Sequence, residues 1–233
     1  MTGLTAELHT DLEALDTPTV CNALEVVAPK RRGYGYTTSP LVCLRPELGS
    51  VVAVARTATI RAAHPSDLRG EEARRLSDDY YAYIAAGPKP SLVVVQDLDG
   101  DGGYGSFWGE VNSAIHKGLG CRGVITDGCV RDVPDIAEGF QVLAASVLPS
   151  HAFVHVVDFG RSVDVAGMKV RSGDLIHADQ HGAVVIPREV ASQIPEAAAA
   201  IARRERVIID AANEPDFDVA ALRRAQGKAA ETH

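Results

Sequence analysis

The chain has 233 residues, a formal net charge of −8 and four cysteines, and 46% of its residues are hydrophobic. This is an ordinary composition for a globular protein with a sizeable core, and we predict one domain over residues 1–233. The acidic balance argues against nucleic acid as a partner, because such binding depends on basic patches. No apolar run approaches the roughly 18 residues of a membrane-spanning helix. With no leader pattern and no Cys-x-x-Cys pair, we expect a cytoplasmic protein with reduced thiols.

Hydrophobic periodicity and turn residues predict an alternation of helices and strands. Leucines at helical spacing predict a first helix over 4–15, and Thr17 is the expected N-cap of a second helix that runs to about Glu25. The elements that follow are, in chain order, a strand at 50–60, a helix at 70–86, a strand at 91–96, a helix from about 109 to 118–120, a strand at 124–126 closed by an Asp127-Gly128 turn, a helix at 133–139, and strands at 142–147, 153–157, 163–165, 174–177 and 183–186.

From Arg188 onward the sequence is helical, alanine-rich and charged, with expected breaks at Pro195 and Pro215. Helices and strands alternate in the first half of the chain, and strands cluster later. We therefore predict an α/β fold with a mixed sheet, a core over about 15–190 and a helical C-terminal arm over about 188–228.

The stretch from Gly109 to Asp132 carries charged residues at both ends of a predicted helix–strand unit. Glu110 lies in the first turn of the helix, and Arg131 and Asp132 follow the strand, with twenty residues between Glu110 and Arg131. A helix that runs back beside a strand brings both ends to one sheet edge, where open α/β sheets place ligands. The free N–H groups at the helix start favour an anion. Each residue also has a simpler interpretation: Glu110 stabilises the helix dipole, Arg131 is a surface charge, and Asp132 caps the next helix.

A second acidic motif, Asp97-x-Asp99-x-Asp101-Gly102, resembles the start of an EF-hand calcium loop. The bidentate acid of such a loop falls at its twelfth position, which is Trp108 here, and a strand precedes the motif where an EF-hand has a helix. The segment is therefore interpreted as a glycine-rich loop that delivers the chain to the helix start at Gly109.

Histidines give no convincing zinc site. His151 and His155 are four residues apart in a predicted strand, which favours half-buried structural side chains, and His177 and His181 lie on a predicted hairpin as structural or rim residues. A Gly-x-Ser-x-Gly elbow is absent from the sequence and no lysine lies within an apolar strand, so covalent catalysis is disfavoured. Any metal is expected to be a hard, oxygen-liganded ion such as Mg²⁺ or Mn²⁺.

Three segments together resemble one family. They are Phe107-Trp-Gly-Glu110 with Arg131-Asp132 beyond it, Thr17-Pro-Thr-Val-Cys-Asn-Ala-Leu24, and Gly173-Asp-Leu-Ile-His-Ala-Asp-Gln-His-Gly-Ala-Val-Val-Ile-Pro187. This pattern, which covers most of residues 15–190, resembles the 4-hydroxy-4-methyl-2-oxoglutarate aldolases, divalent-metal pyruvate aldolases that share a fold with regulator of ribonuclease activity A. The resemblance implies a swivelling β/β/α domain that assembles as a homotrimer or homohexamer, with active sites at the subunit interfaces.

The resemblance also implies roles for individual residues. Asp132 would hold the metal, partly through waters, and Glu110 would reach it through a water molecule. Arg131 would bind the keto-acid end of the substrate. The substrate carboxylate would be taken by the backbone amides of Gly109, Glu110, Val111 and Asn112.

The chain departs from the family's motif at two positions. Glu110 stands where the family usually has Asp, and Asn22 stands where the family has the Asp of Ser-Asp-Ala-Leu. A neighbouring subunit would contribute an acid from the C-terminal helix, for which Glu205 is the candidate.

These observations predict a Mg²⁺- or Mn²⁺-dependent lyase that acts on a 4-carboxylated 2-keto acid. It would catalyse retro-aldol cleavage, oxaloacetate decarboxylation or both, and release pyruvate through a metal-stabilised enolate. Two alternatives stay open: related enolate chemistry on another carbonyl acid, including a tautomerisation, and a non-catalytic oligomer that masks a ribonuclease or another protein. Asp132 discriminates the metal-dependent enzymes from the non-catalytic regulator, because such a regulator has no need of a metal ligand beside Arg131. Nucleic-acid methyltransfer is disfavoured, because no glycine-rich nucleotide fingerprint follows an early strand.

Overall fold

The computed structural model describes residues 4–100 and 103–232. Within these ranges the α-helices are α1 (Ala6–Glu13), α2 (Thr17–Val27), α3 (Gly70–Ala85), α4 (Glu110–Gly118), α5 (Ile194–Ala212) and α6 (Val219–Glu231). The strands are β1 (Val42–Cys43), β2 (Val51–Arg61), β3 (Ser91–Asp97), β4 (Ser106–Trp108), β5 (Cys121–Val130), β6 (Gln141–Val147), β7 (His155–Phe159), β8 (Val163–Val165), β9 (Met168–Val170), β10 (Leu175–Asp179) and β11 (Gly182–Ile186).

A mixed sheet of nine strands organises the described part of the chain. Its order is β1-β6-β5-β3-β2-β10-β11, with β4 paired to β5 and β7 paired to β2. The central pairs β2–β3, β3–β5 and β5–β6 are parallel, whereas β1, β7, β10 and β11 pair antiparallel. The predicted α/β fold with a mixed sheet and C-terminal helices is confirmed.

Both faces of the central strands are buried, which explains their continuous apolar runs. In β3, Leu92 and Val94 pack on one face with the small β8–β9 hairpin, and Val93 and Val95 pack on the other face with α3. A third apolar cluster lies where α1, α2 and α5 cover β10 and β11. The sheet is therefore held by helices and a hairpin on opposite sides.

The start of α2 differs from the sequence-based expectation. Asp16, not Thr17, is the N-cap, since its Oδ1 accepts a hydrogen bond from the Thr19 amide at 2.8 Å. Thr17 is buried as the first helical residue, donates its amide to Asp179 Oδ2 at 2.9 Å and contacts His177 Nδ1 through its hydroxyl at 3.0 Å. Because buried Asp179 belongs to β10, the hydrogen bond that it accepts from the Thr17 amide fixes the start of α2 to that strand.

The predicted turn at Asp127-Gly128 is wrong, because β5 continues through it to Val130. Side chains absorb the irregularity: Thr126 Oγ1 accepts the Gly128 amide at 3.0 Å, and Asp127 Oδ1 accepts the Asp97 amide at 2.6 Å. The pairing of β5 with β6 shifts register between Thr126 and Cys129. A local bulge, not a chain reversal, therefore accommodates these turn-forming residues.

The predicted helix at 133–139 is also wrong, because only a 3₁₀ turn forms at Val133–Asp135. Ile136 already has an extended backbone, and both Ile136 and Phe140 are buried in the core. Burial of these two apolar side chains outweighs the local helical preference.

The C-terminal arm is helical as predicted, with α5 and α6 separated around Pro215. The expected break at Pro195 is instead the first turn of a helix, because α5 starts at Ile194. A proline is tolerated in the first turn, where its missing N–H has no helical partner to lose. The expected strand at 153–157 is displaced to His155–Phe159.

Across residues 4–100 and 103–232, no helix is long and apolar enough to cross a membrane. All four cysteines lie in the described ranges as thiols outside any disulfide, with Cys121 and Cys129 buried.

Gly123 tests the close pairing of β5 and β6. A Cβ at this position would lie 2.3 Å from the backbone oxygen of Gln141, so the two strands would have to move apart. We expect Gly123→Ala to cost about 1–3 kcal/mol, which lowers Tm by roughly 2–12 °C in a chain of this size. Thermal unfolding measures the effect, with Gly227→Ala in α6 as the control because a Cβ added there would meet nothing within 4 Å. Equal melting temperatures for the two variants would contradict the tight pairing.

Candidate active site

The short strand β4 places the start of α4 beside the end of β5. Arg131 donates its amide to the Trp108 carbonyl at 2.9 Å, which extends the parallel pairing of β4 with β5. The Trp108 side chain is fully buried, with its ring centroid 4.6 Å from that of His116 and 5.9 Å from that of Phe140. Gly109 is consequently held next to the charged residues that follow β5.

Asp132 stands at the N-cap position of the 3₁₀ turn Val133–Asp135, but the expected capping of that segment by its carboxylate is wrong. Its side chain makes no capping hydrogen bond, and its backbone lies in the left-handed region at φ 51° and ψ 42°, which Asp tolerates better than most residues. The carboxylate turns back toward α4 instead. Asp132 Oδ2 lies 3.4 Å from Arg131 Nε and 3.4 Å from the Glu110 amide nitrogen. The predicted meeting of Glu110, Arg131 and Asp132 at one place is therefore found in the structure.

Gly109 permits this approach. A Cβ on Gly109 would lie 2.6 Å from Asp132 Oδ2 and 3.3 Å from Arg131 Cγ. Its φ of −171° is ordinary extended backbone, so glycine is needed for space and not for conformation. The absence of a side chain lets the carboxylate and the helix start share one small region.

The first turn of α4 presents backbone donors to this region. The amides of residues 110–112 have no acceptor within the helix, because they belong to its first turn. The Asn112 side chain is committed elsewhere: its Nδ2 donates to the Phe107 carbonyl at 2.6 Å, and its Oδ1 accepts from the Tyr81 hydroxyl at 3.1 Å. Glu110 and Val111 have exposed side chains. The arrangement supplies a helix N-terminus, a guanidinium and a carboxylate, which suits a small carboxylated ligand.

The side chains at this place also determine which kind of metal ion could bind there. The side chains of Asp132 and Arg131 are each 38% exposed, so the Asp132 carboxylate is partly open to solvent. Among the residues described, His, Cys, Asp and Glu nowhere form a group of three that could hold a metal ion. That donor set does not fit structural zinc, which takes about four protein ligands. It fits a largely hydrated Mg²⁺ or Mn²⁺, since Mg²⁺ is commonly bound through one or two carboxylates with water and substrate completing the shell.

The calcium-loop motif has another explanation. Asp99 is half-buried, accepts the Ala63 amide at 2.8 Å and pairs with Arg61 Nη1 at 2.9 Å. Burial opposes ionisation, but these donors and the Ala62 amide hold the pKa of Asp99 below its usual value. Asp101 and Gly102 lie outside the described residues. Asp99 thus fixes the loop to the end of β2.

The other predicted candidates lie apart from this arrangement. His177 is fully buried and contacts the Leu12 and Leu15 carbonyls through Nε2, both at 3.1 Å, so it is structural. His151 is exposed in a loop rather than half-buried in a strand, and His155 begins β7. Glu205 lies exposed on α5, and its contribution to a neighbouring subunit stays a prediction.

Sequence reasoning missed two buried polar residues beside the site, Tyr80 and His116. The Tyr80 hydroxyl lies 2.8 Å from His116 Nε2, and His116 Nδ1 lies 2.6 Å from the Asn112 carbonyl oxygen. Burial lowers the pKa of His116 to about 4, against the opposing effect of the Asn112 carbonyl. The only sequence signal was the spacing of Ser113 and His116, which puts two polar residues on the buried face of α4.

Comparisons with known proteins agree with this fold. A family model described as "RraA-like: Aldolase/RraA" matches residues 17–185. A protein of Methanocaldococcus jannaschii is 38% identical over 118 residues, which are 49% of this chain and 57% of that protein. The alignment therefore spans little more than half the length of that relative. A Halalkalibacterium halodurans protein named "putative 4-hydroxy-4-methyl-2-oxoglutarate aldolase" is 26% identical over 160 residues, covering 66% of this chain and 75% of that protein.

Among solved structures, Streptomyces coelicolor RraAS2 is described as an unusual member of the RNase ES inhibitor RraA protein family. It is similar to this chain with a TM-score of 0.66 and 25% identity, over 87% of this chain and 95% of that one. The fold is thus the mixed α/β fold of RraA proteins. Because the family model covers most of the chain, this protein belongs to the RraA-like family, whose relatives include proteins named as aldolases and as ribonuclease inhibitors.

The buried His116 predicts a specific acid sensitivity. Its folded-state pKa is about 4 and its ordinary pKa is 6.5, so the unfolded state binds more protons between these values and stability falls as pH falls through this window. We expect His116→Gln to make the free energy of unfolding less pH-dependent there, by up to about 1.4 kcal/mol per pH unit. Urea unfolding at several pH values measures the slope.

Exposed His151 provides the control for this experiment. His151→Gln should keep the wild-type slope, whereas an unchanged slope in His116→Gln would contradict a neutral, buried His116. His177 and Asp179 also make the protein less stable in acid, because burial lowers the pKa of His177 and amide donors lower that of Asp179 despite its burial. Neither residue is changed in the variants, so this contribution is the same in the wild type, His116→Gln and His151→Gln.

Proposed function

We propose that this protein is a divalent-metal-dependent lyase that releases pyruvate from a 4-carboxylated 2-keto acid. The reaction is retro-aldol cleavage of a 4-hydroxy-4-methyl-2-oxoglutarate-type substrate, decarboxylation of oxaloacetate, or both. The observation that carries the proposal is the convergence of the Asp132 carboxylate, the Arg131 guanidinium and the α4 N-terminus within 3.4 Å contacts.

The relatives support a lyase at the level of the family. The 26% identical protein from Halalkalibacterium halodurans carries an aldolase name, and the family model is described as Aldolase/RraA. Because the identity is low, the relatives do not specify the substrate or the metal, and these parts of the proposal rest on the residues of the site. In this chain, both charged ends of the helix–strand unit lie within the matched range 17–185.

Asp132 would hold the cation in this proposal, with water and substrate oxygens as further ligands. When bound, Mg²⁺ or Mn²⁺ supplies Lewis-acid polarisation of the 2-keto group. Arg131 lies beside Asp132 and places a fixed positive charge where negative charge develops as the pyruvate enolate forms. The neighbouring carboxylate also orients the guanidinium, because Nε faces Asp132 Oδ2.

Helix α4 binds a carboxylate of the substrate through the amides of its first turn, where the helix dipole favours negative charge. Glu110 is the exposed acid of the same turn. Its carboxylate would receive the proton of the 4-hydroxyl through a water molecule during retro-aldol cleavage. In oxaloacetate decarboxylation no such proton is removed, so Glu110 is expected to matter less for that reaction.

We further infer a homo-oligomer, either a homotrimer or a homohexamer. Two apolar side chains of α4 lie on the exposed face next to the site, Val111 at 68% and Ile115 at 37% exposure. Covering such side chains with a second subunit removes apolar surface from water. The partner would then close the open side of the site.

A second candidate function is inhibition of a ribonuclease without catalysis. The similarity to RraAS2, at 25% identity and a TM-score of 0.66, favours it. This alternative requires neither a metal nor the Arg131–Asp132 arrangement, so removal of Asp132 should leave it intact.

The decisive experiment measures pyruvate release from oxaloacetate and from 4-hydroxy-4-methyl-2-oxoglutarate, with Mg²⁺ or Mn²⁺ and with EDTA. We expect metal-dependent release from at least one substrate, abolished by EDTA and by Asp132→Ala, with an unchanged circular-dichroism spectrum. Arg131→Lys should lower the rate by roughly 10²–10³, because the rigid guanidinium donor is lost.

Glu189→Gln is the control, because Glu189 is exposed and its 3₁₀ segment, Arg188–Gln193, packs in the cluster that α1, α2 and α5 form. Metal-independent release, or full activity in Asp132→Ala, would overturn the proposal. If neither substrate yields pyruvate but the protein inhibits a ribonuclease, the second candidate replaces it.

A further inference from the structure

Two fully buried polar side chains connect α3 to the start of α4. Tyr80 is 1% exposed and His116 is 0% exposed. The Tyr80 hydroxyl lies 2.8 Å from His116 Nε2, and His116 Nδ1 lies 2.6 Å from the Asn112 carbonyl oxygen. Neither side chain reaches the surface where a substrate would bind.

The direction of these hydrogen bonds follows from their chemistry. A carbonyl oxygen only accepts, so His116 Nδ1 carries the hydrogen and donates it to Asn112. Nε2 of the neutral ring is then an acceptor, and the Tyr80 hydroxyl donates to it. Because burial keeps the pKa of His116 near 4, the ring is neutral around pH 7 and this tautomer is the one that satisfies both contacts.

The same direction continues through the backbone to Asp132. The Asn112 carbonyl and the Ser113 N–H belong to one peptide group, and Ser113 donates to the Gly109 carbonyl at 3.0 Å. The Gly109 carbonyl and the Glu110 N–H belong to the next group in the series, and the Glu110 nitrogen lies 3.4 Å from Asp132 Oδ2. Aligned hydrogen bonds polarise one another, so each donor strengthens the next.

Side-chain contacts hold the same turn from two other sides. Tyr81, adjacent to Tyr80 on α3, donates to Asn112 Oδ1 at 3.1 Å. On the opposite side, Ser113 Oγ accepts the Ala137 amide at 3.0 Å and donates to the Glu110 carbonyl at 2.9 Å. The first turn of α4 therefore cannot shift without breaking these hydrogen bonds.

We propose that Tyr80 and His116 are positioning residues for the candidate active site. Their aligned hydrogen bonds fix the first turn of α4 and direct the Glu110 amide toward Asp132. The inference rests on the proposed function for its effect on turnover, but its effect on the helix start is independent of any substrate. Neither residue contacts the reacting atoms.

The test compares Tyr80→Phe with Tyr83→Phe. Tyr83 lies on the same helix, and its hydroxyl also makes two partly buried hydrogen bonds, at 3.1 Å to the Thr57 amide and 2.7 Å to Ser172 Oγ. Both variants lose one hydroxyl from α3 and should lower Tm, yet only Tyr80 is linked to α4. Of these two variants, we expect only Tyr80→Phe to speed hydrogen–deuterium exchange of the peptide covering α4, by roughly threefold to tenfold.

In turnover, Tyr80→Phe should lower kcat/KM for pyruvate release about tenfold, equivalent to about 1.4 kcal/mol, mainly through KM. The affinity for oxalate in the presence of Mg²⁺, measured by calorimetry, should fall with it. Tyr83→Phe should leave both values unchanged. Tyr81→Phe is a second variant, with the same direction and a smaller effect, because it removes only the contact to the Asn112 side chain.

The two proposals fail in different ways. If the wild-type protein neither releases pyruvate nor binds oxalate, the proposed function is wrong, and the exchange measurement still decides the role of Tyr80 and His116. If exchange in α4 responds equally to Tyr80→Phe and Tyr83→Phe, the positioning role is overturned even in an active enzyme.

Discussion

The pairing of β4 with the end of β5 is the contact on which the candidate site depends. β4 has only three residues, but its parallel pairing sets Gly109 against Arg131 and Asp132, which lie just beyond β5. Trp108 secures the pairing because its ring is fully buried between His116 and Phe140. A shift of one residue in this register would turn Trp108 outward and remove the helix start from Asp132.

The charges at this place balance one another without a closed ligand cage. Asp132 faces a guanidinium and a helix N-terminus, so its charge is partly met by the protein, and its exposed side remains available to a hydrated cation. The contact between α4 and Asp132 is made by the Glu110 backbone. Glu110 in place of the shorter acid that the family usually has therefore changes the reach of an exposed side chain and leaves the helix start intact.

The sequence predicted the parts of this arrangement that depend on strong local patterns. Continuous apolar runs marked β2 and β3, and the spacing of Glu110 and Arg131 across a helix and a strand indicated one site. Local patterns failed where tertiary contacts decide: Asp127 and Gly128 resemble a turn, but their bonding to Asp97 and Thr126 keeps them in β5. The bond between Tyr80 and His116 joins residues 36 positions apart, and no spacing rule predicts such a pair.

One added methyl group tests most directly whether Asp132 and the α4 N-terminus form one binding site. Gly109→Ala would place a Cβ 2.6 Å from Asp132 Oδ2, so the carboxylate must move while the backbone can stay in place. Mn²⁺ affinity, measured by calorimetry in the presence of oxalate, should fall at least tenfold with little change in Tm. Gly118→Ala on the same helix, where an added Cβ would meet nothing within 4 Å, should bind as the wild type does. Wild-type affinity in Gly109→Ala would contradict a site built from Asp132 and the α4 N-terminus.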